Sequence, residues 1–297
     1  MYHIPVLLNQ CIEGLNLKPN GTYVDATFGG GGHAKEILEK LDKGRLIAFD
    51  QDMDAKANIH KDDRLVLVNQ NFRYLVNFLR LYNALPADGI LADLGISSHQ
   101  IDVPERGFSS RFDGNLDMRM NQNQSLSASA IVNTYSYDEL NQLFRKYGEL
   151  KNNGQITKAI VKAREEKELK RTTELVDAVQ DCFPQNKRNK GLAMVFQALR
   201  IEVNDELRAL EEFLLQTIEV LKPGGRLVVM SYHSLEDRLV KNVMKTGNTE
   251  GKLEKDFFGN PIVPLKSITS RPIVPDETEI EKNNRARSAK LRIAEKI

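Results

Sequence analysis

Cysteine is scarce in this chain. Cys11 and Cys182 are the only two in 297 residues, far apart and without a C-x-x-C partner, which excludes a disulfide framework and a thiolate zinc site. Charge of one sign is lacking too: 42 Lys and Arg stand against 41 Asp and Glu, a formal net charge of +1. Neutrality neither demands nor forbids a nucleic-acid partner, because only clustered charge makes a binding face. No apolar run approaches the ~20 residues needed to span a bilayer. The opening MYHIPVLLNQCIEGL has no basic leader and meets an acid at Glu13, so no signal peptide is expected and a cytoplasmic location is. Repeats and low-complexity tracts are also missing. What remains is soluble globular composition, 41% hydrophobic and 28% charged. The length allows one large domain or two smaller ones.

Apolar periodicity sorts the chain into three parts. Leu8, Ile12 and Leu15 share a helical face. Residues 22–27 (TYVDAT), 45–49 (RLIAF), 65–69 (LVLVN) and 89–94 (GILADL) read as strands, with a helical stripe at Ala34, Ile37, Leu38 and Leu41. Apolar β-rich runs alternating with helical patterns predict βαβ units and a buried parallel sheet. From about 105 to 200 no convincing strand is found. A capping box at Ser136–Glu139 and stripes through Ile156–Ala163 and Leu175–Val179 predict helices instead. Leu207 to Leu221 runs at helical spacing until Pro223-Gly224-Gly225 breaks it, and residues 226–231 (RLVVMS) and 291–294 restore strands. The expected architecture is a Rossmann-like α/β sheet, residues 1–104 and 200–297, interrupted by an all-helical insertion at 105–199.

The strongest chemical signal is a strand, a glycine run (Gly29 to Gly32), a helix, and then an acid, Asp50, ending the next strand. Glycines let backbone N–H groups approach a ligand, and a carboxylate at the end of the second strand can hold a ribose diol. Gly29-x-Gly31-x-x-Ala34 also fits a dinucleotide fingerprint, so a nicotinamide-dependent oxidoreductase is a competing reading. Three features favour S-adenosylmethionine. Asp25, just before the glycines, suits a methionyl ammonium group and would repel a pyrophosphate. Asp93 ends the fourth strand at the same sheet edge, where open α/β sheets place their sites. A Pro-Gly-Gly turn leads into the fifth strand.

Longer motifs run in order through nearly the whole chain: His3-x-Pro-Val-Leu-Leu8, Asp25-Ala-Thr-Phe-Gly-Gly-Gly-Gly-His33, Gly89-Ile-Leu-Ala-Asp-Leu-Gly-Ile-Ser-Ser98 and Pro104-Glu-Arg-Gly-Phe108. They continue with Leu116-Asp-Met-Arg-Met120, Val195-Phe-Gln-Ala-Leu-Arg-Ile201, Ser231-Tyr-His-Ser-Leu-Glu-Asp-Arg238 and the arginine-rich 284–292. In these the chain resembles the ribosomal RNA small subunit methyltransferase H family, which methylates N4 of a decoding-centre cytidine in 16S rRNA. The resemblance implies S-adenosylmethionine as cofactor, 16S rRNA in the small subunit or its precursor as partner, and no metal or membrane. It places cofactor contacts on Gly31, Gly32, His33, Asp50, Phe72, Asp93 and Gln100. The chain departs from the family pattern at His99, after Glu149 and at Gly191–Val195.

Asp93 and His233 are the expected catalytic pair, at the ends of strands expected to be adjacent. Ser234-x-x-Asp237 fits a helix cap, whereas His233 is assigned no capping role. Expected RNA contacts are Arg106, Arg119, Lys187, Arg188, Lys190, Arg285 and Arg287, although residues 103–199 carry only 15 Lys and Arg against 12 Asp and Glu. A non-catalytic ribosome-assembly factor with a dead cofactor pocket is the third reading.

Overall fold

The computed structural model describes residues 5–59 and 61–297; His3, which opens the first family motif, lies outside them. Two compact units emerge, Met1–Gly95 with Leu207–Ile297, and Ile96–Glu206. The first contains α1 (Leu8–Leu15), β1 (Thr22–Asp25), α2 (Gly32–Lys40), β2 (Arg45–Phe49), β3 (Leu65–Val68), α3 (Leu75–Leu81) and β4 (Ala87–Asp93). The second contains α4 (Ser98–Asp102), α5 (Ala128–Thr134), α6 (Tyr137–Lys146), α7 (Asn153–Glu166), α8 (Thr172–Val179) and α9 (Arg188–Asn204). α10 (Glu206–Val220), β5 (Leu221–Ser231), α11 (Ser234–Thr246), β6 (Leu265–Ser267), α12 (Glu277–Lys282) and β7 (Lys290–Lys296) complete the first.

The sheet order is β3-β2-β1-β4-β5-β7-β6, with β1 to β5 parallel and β7 antiparallel to both its neighbours. Side chains alternate faces with period two. Val24, Ile47, Phe49, Ile90, Ala92, Leu227 and Val229 pack in one core with α3, α10 and α11. Tyr23, Leu46, Ala48, Leu91, Val228 and Met230 pack in another with α1 and α2. A sheet covered on both faces explains why its strands read as continuous apolar runs. It is a Rossmann-like, doubly wound sheet. Among the described residues no helix is long and apolar enough to cross a membrane.

Two local expectations are corrected. α10 ends at Val220, before the proline; Pro223-Gly224-Gly225 lies instead in a bulge of β5, where Ala87 pairs with Leu221 and Gly89 with Arg226. Three extra residues on one strand have to loop out, and Gly224 supplies a positive φ of 76°. The helical unit is also wider than the expected 105–199, because Ile96 and Val203 pack into its core. Between 105 and 200 the described residues form no strand, only an isolated bridge between Asn115 and Arg171. The Ser136 capping box forms, Glu139 accepting the Ser136 amide at 2.7 Å.

Candidate active site

The period-two alternation that places Tyr23 and Leu91 on the α1/α2 side of the sheet places Asp25 and Asp93 there too, on neighbouring strands. Tyr232, two residues past Met230, packs on the same side. These groups stand at the carboxyl ends of β1, β4 and β5. The glycine run follows β1 directly. Gly29 and Gly31 have φ of +50° and +73°, Gly31 being the N-cap of α2, and a side chain on Gly32 would run into the Pro5 ring. A Cβ on Gly30 would meet nothing within 4 Å, so the backbone there borders open space that a ligand can fill.

The electrostatics of this edge favour a cation. Asp25 is buried; its Oδ1 accepts the Thr27 amide at 3.1 Å, and its buried Oδ2 has no hydrogen-bond partner. Burial pushes the carboxyl up to about 7, and the negative charge of Asp50 adds to the rise. Asp93 accepts the Tyr232 hydroxyl at 2.8 Å, and its amide donates to Thr27 Oγ1 at 2.7 Å. Burial pushes it up to about 7 as well; the Tyr232 hydrogen bond opposes the rise, and Asp25 and Glu236 add to it. Burial and the Asp93 charge together raise the Tyr232 phenol far above its ordinary value, so it remains a donor. Two carboxyls held short of ionisation are the reverse of a pyrophosphate site and the complement of a ligand bearing ammonium and sulfonium groups. The orphaned Asp25 oxygen and the open space at Gly30 therefore fit S-adenosylmethionine.

Asp50 ends β2 as a hub. Its Oδ2 accepts the Gly29 amide and its Oδ1 the Asp52 amide, both at 2.8 Å, tying the glycine loop to β2. Phe72 opens a 3-10 turn after β3 and is half-buried, its ring tilted against Phe213 with centroids 4.9 Å apart. His33 is buried in the first turn of α2. Gly31, Gly32, His33 and Asp50 thus meet around one loop, with Asp25 beneath. Gln100 belongs to the helical unit, where its side chain accepts the Ser97 amide at 3.1 Å in the capping box of α4.

His233 does have a capping role, contrary to the sequence reading. It is the N-cap of α11: its Nδ1 accepts the Glu236 amide at 3.4 Å, and Glu236 accepts the His233 amide at 3.3 Å and the Tyr232 amide at 2.9 Å. The Glu236 carboxylate is buried and lies 3.1 Å from His233 Nε2. The cap falls one residue before Ser234, since imidazole nitrogen can accept an amide as a serine oxygen would. Nδ1 is thereby engaged within the cap, whereas the buried Nε2 lies beside the Glu236 carboxylate without a hydrogen-bond partner. β4 and β5 are adjacent and parallel, as expected.

The arginines of the helical unit already have partners within it. Arg106 is buried, donates to the Arg119 and Met120 carbonyls at 3.0 and 3.2 Å, and stacks over Phe108. Arg119 forms a two-point pair with Asp117, both bonds 2.7 Å, and donates to the Gln122 and Gln124 carbonyls. These guanidiniums hold their own loop together. Arg188 is half-buried beside Asp181 at 3.2 Å. Lys187, Lys190, Arg285 and Arg287 are exposed. Tyr232 and Glu236 were missed as site residues. A carboxylate three residues after His233 was the available signal for Glu236, hidden because histidine is not among the favoured capping types.

Comparison with known proteins gives the family. The family model described as "MraW methylase family" matches residues 1–297. The ribosomal RNA small subunit methyltransferase H of Bacteroides thetaiotaomicron is 57% identical over 296 residues, covering 99% of this chain and 97% of the relative. That of Flavobacterium johnsoniae is 57% identical over 297 residues, covering 100% and 98%. Among solved structures, an rRNA methylase from Streptococcus thermophilus aligns with a TM-score of 0.43 at 12% identity, covering 100% of this chain and 99% of that one. A match over the whole length, with relatives above half identity, leaves no room for the oxidoreductase reading. The chain belongs to the MraW methylase family.

Proposed function

We propose that the protein transfers a methyl group from S-adenosylmethionine to N4 of a decoding-centre cytidine in 16S rRNA, within the small ribosomal subunit or its precursor. The observation that carries the cofactor half is the pair of raised carboxyls, buried Asp25 with an orphaned oxygen and half-buried Asp93 beside Tyr232, under an open glycine loop. The family carries the RNA half.

S-adenosylmethionine supplies an electrophilic methyl group on a positively charged sulfur. Asp25 would receive the methionyl ammonium, Asp50 the ribose hydroxyls, and Phe72 the adenine. Gly31, Gly32 and His33 line the turn along which the methionyl chain would lie, and Gln100 joins the cofactor set on the family pattern. The cytosine amine is a poor nucleophile because its lone pair is delocalised into the ring. Asp93 can accept a hydrogen bond from that amine and so localise the lone pair on nitrogen. Its carboxyl near 7 is also suited to take the proton that nitrogen sheds once it is methylated. Tyr232 fixes one Asp93 oxygen and leaves the other for this task. His233 is assigned to the edge of the amine site, held by Glu236, where it shapes the pocket more readily than it exchanges protons. Positioning alone is worth ~7–11 kcal/mol in such a transfer. The target base has to be single-stranded or splayed from its stack. Lys187, Lys190, Arg285 and Arg287 are the exposed candidates for phosphate.

Incubating small subunits that lack the modification with the protein and methyl-labelled S-adenosylmethionine tests this reading. Label should enter 16S rRNA with wild type and fall ~10²–10⁴-fold with Asp93→Ala. Transfer by the variant at the wild-type rate removes Asp93 from the chemistry, and a chain that binds the donor without turnover is the assembly factor.

A further inference from the structure

Residues 247–264, between α11 and β6, form a built loop with its own internal scaffold. Its ends close on each other: a side chain on Gly247 would run into the Pro264 ring, and the Ile297 amide donates to the Pro264 carbonyl at 3.1 Å. Asn248 Oδ1 accepts the amides of Gly251 and Lys252 at 2.9 and 3.1 Å, and its Nδ2 donates to the Lys252 carbonyl at 2.6 Å. At the tip the Asp256 carboxylate accepts the amides of Phe258 and Asn260, both at 2.8 Å, and the Asn260 side chain at 3.0 Å. The Asp256 amide donates to the Asn260 carbonyl, and that of Ile262 to Glu254, each at 2.9 Å.

This scaffold presents Phe257 and Phe258 to solvent at 97% and 85% exposure, their rings edge-to-face with centroids 5.6 Å apart. Large aromatics so bare carry a hydration cost that the fold does nothing to relieve, and such exposure marks a contact surface. Residues 250–271 hold four exposed cations, Lys252, Lys255, Lys266 and Arg271, against three acids, Glu250, Glu254 and Asp256; Glu250 pairs with Lys252, and Asp256 is already occupied by amides. Aromatic faces among surplus cations complement unpaired nucleobases on a phosphate backbone, a pairing tolerant of base identity.

We propose that this turn is a second RNA-contact surface, on which unpaired bases of the RNA substrate stack against Phe257 and Phe258. The inference rests on the reading of the chain as an rRNA methyltransferase. α11 starts at the carboxyl edge of β5 and turns back along the sheet, and its 13 residues span about 20 Å. The turn is therefore remote from Asp93, and it captures RNA without touching the methyl transfer.

The test is the double variant Phe257→Ala/Phe258→Ala in the full chain, with small subunits lacking the modification and an unstructured RNA oligonucleotide as probes. Direct binding and turnover are both measured. RNA affinity should fall at least tenfold and KM for RNA rise in step. S-adenosylmethionine affinity and kcat at saturating RNA should not change, and Phe257→Trp/Phe258→Trp should restore binding. Unchanged RNA affinity in the alanine variant overturns the proposal. So does a wild-type dimer that the variant dissolves with RNA binding intact, since the turn would then cover a second copy of the chain. Binding is read without turnover, so failure of the methylation reading is distinguishable from failure of this one.

Discussion

Asp25→Asn separates the cost of a buried carboxylate from its use. Asparagine keeps the size of the side chain and an oxygen to accept the Thr27 amide, and it removes the charge. In the ligand-free fold burial raises the Asp25 carboxyl from 3.8 to about 7, so folding favours its protonated form. The penalty is absent below pH ~4, grows as pH rises through the window between the two values, and is complete above ~7. At ~1.4 kcal/mol per pKa the rise is worth about 4 kcal/mol at pH 8. Thermal unfolding between pH 3.5 and 8.5 should therefore show the ligand-free variant more stable than wild type at pH 8, with the difference shrinking through pH 5 and vanishing only below pH ~4. Titration calorimetry should show the opposite for the cofactor. Loss of a charge-assisted hydrogen bond to the ammonium costs ~1.5–3 kcal/mol, or ~10–150-fold in affinity. A variant less stable than wild type at pH 8 that binds S-adenosylmethionine unchanged would show the carboxylate to be structural and refute the reasoning.

Asp50→Ala should weaken S-adenosylmethionine binding by ~1.5–3 kcal/mol through lost ribose hydrogen bonds, and calorimetry that finds full affinity removes Asp50 from the site. If Asp93 takes the amine proton, methyl transfer should rise with pH through about 7. Tyr232→Phe removes the hydrogen bond that lowers the Asp93 value and should move that limb to higher pH, and an unmoved pH–rate profile denies Asp93 the proton. His233→Ala should cost ~1 kcal/mol of stability as a lost cap and leave cofactor affinity intact. A ~10²–10⁴-fold fall in its turnover would restore His233 as the proton acceptor. Replacing Lys187 and Lys190 together should flatten the salt dependence of subunit binding, and an unaltered slope marks them as a solvated loop.

Much of the fold is legible because parallel strands buried on both faces must be apolar throughout, as at 45–49 and 89–94. β6 is not, being three residues long with only Leu265 buried. The Pro-Gly-Gly break is visible in sequence, but whether it ends a helix or bulges a strand depends on which residues of β4 stand opposite. At the site, Asp25, Asp50 and Asp93 are legible from position alone, since each follows a recognisable strand. Tyr232 is not, because its role is a hydrogen bond across two strands. Arg106 and Arg119 read as surface charge until burial and the carbonyls around them are known; no local pattern separates a guanidinium that grips phosphate from one that closes its own loop.

The methylated atom defines the proposed reaction. Small subunits lacking the modification, incubated with the protein, S-adenosylmethionine and excess EDTA, yield 16S rRNA whose nucleosides can be resolved by mass spectrometry. The expected product is N4-methylcytidine at a decoding-centre position, formed as fast with the chelator as without it. A 5-methylcytidine product, or methyl groups on a base other than cytosine, would contradict it.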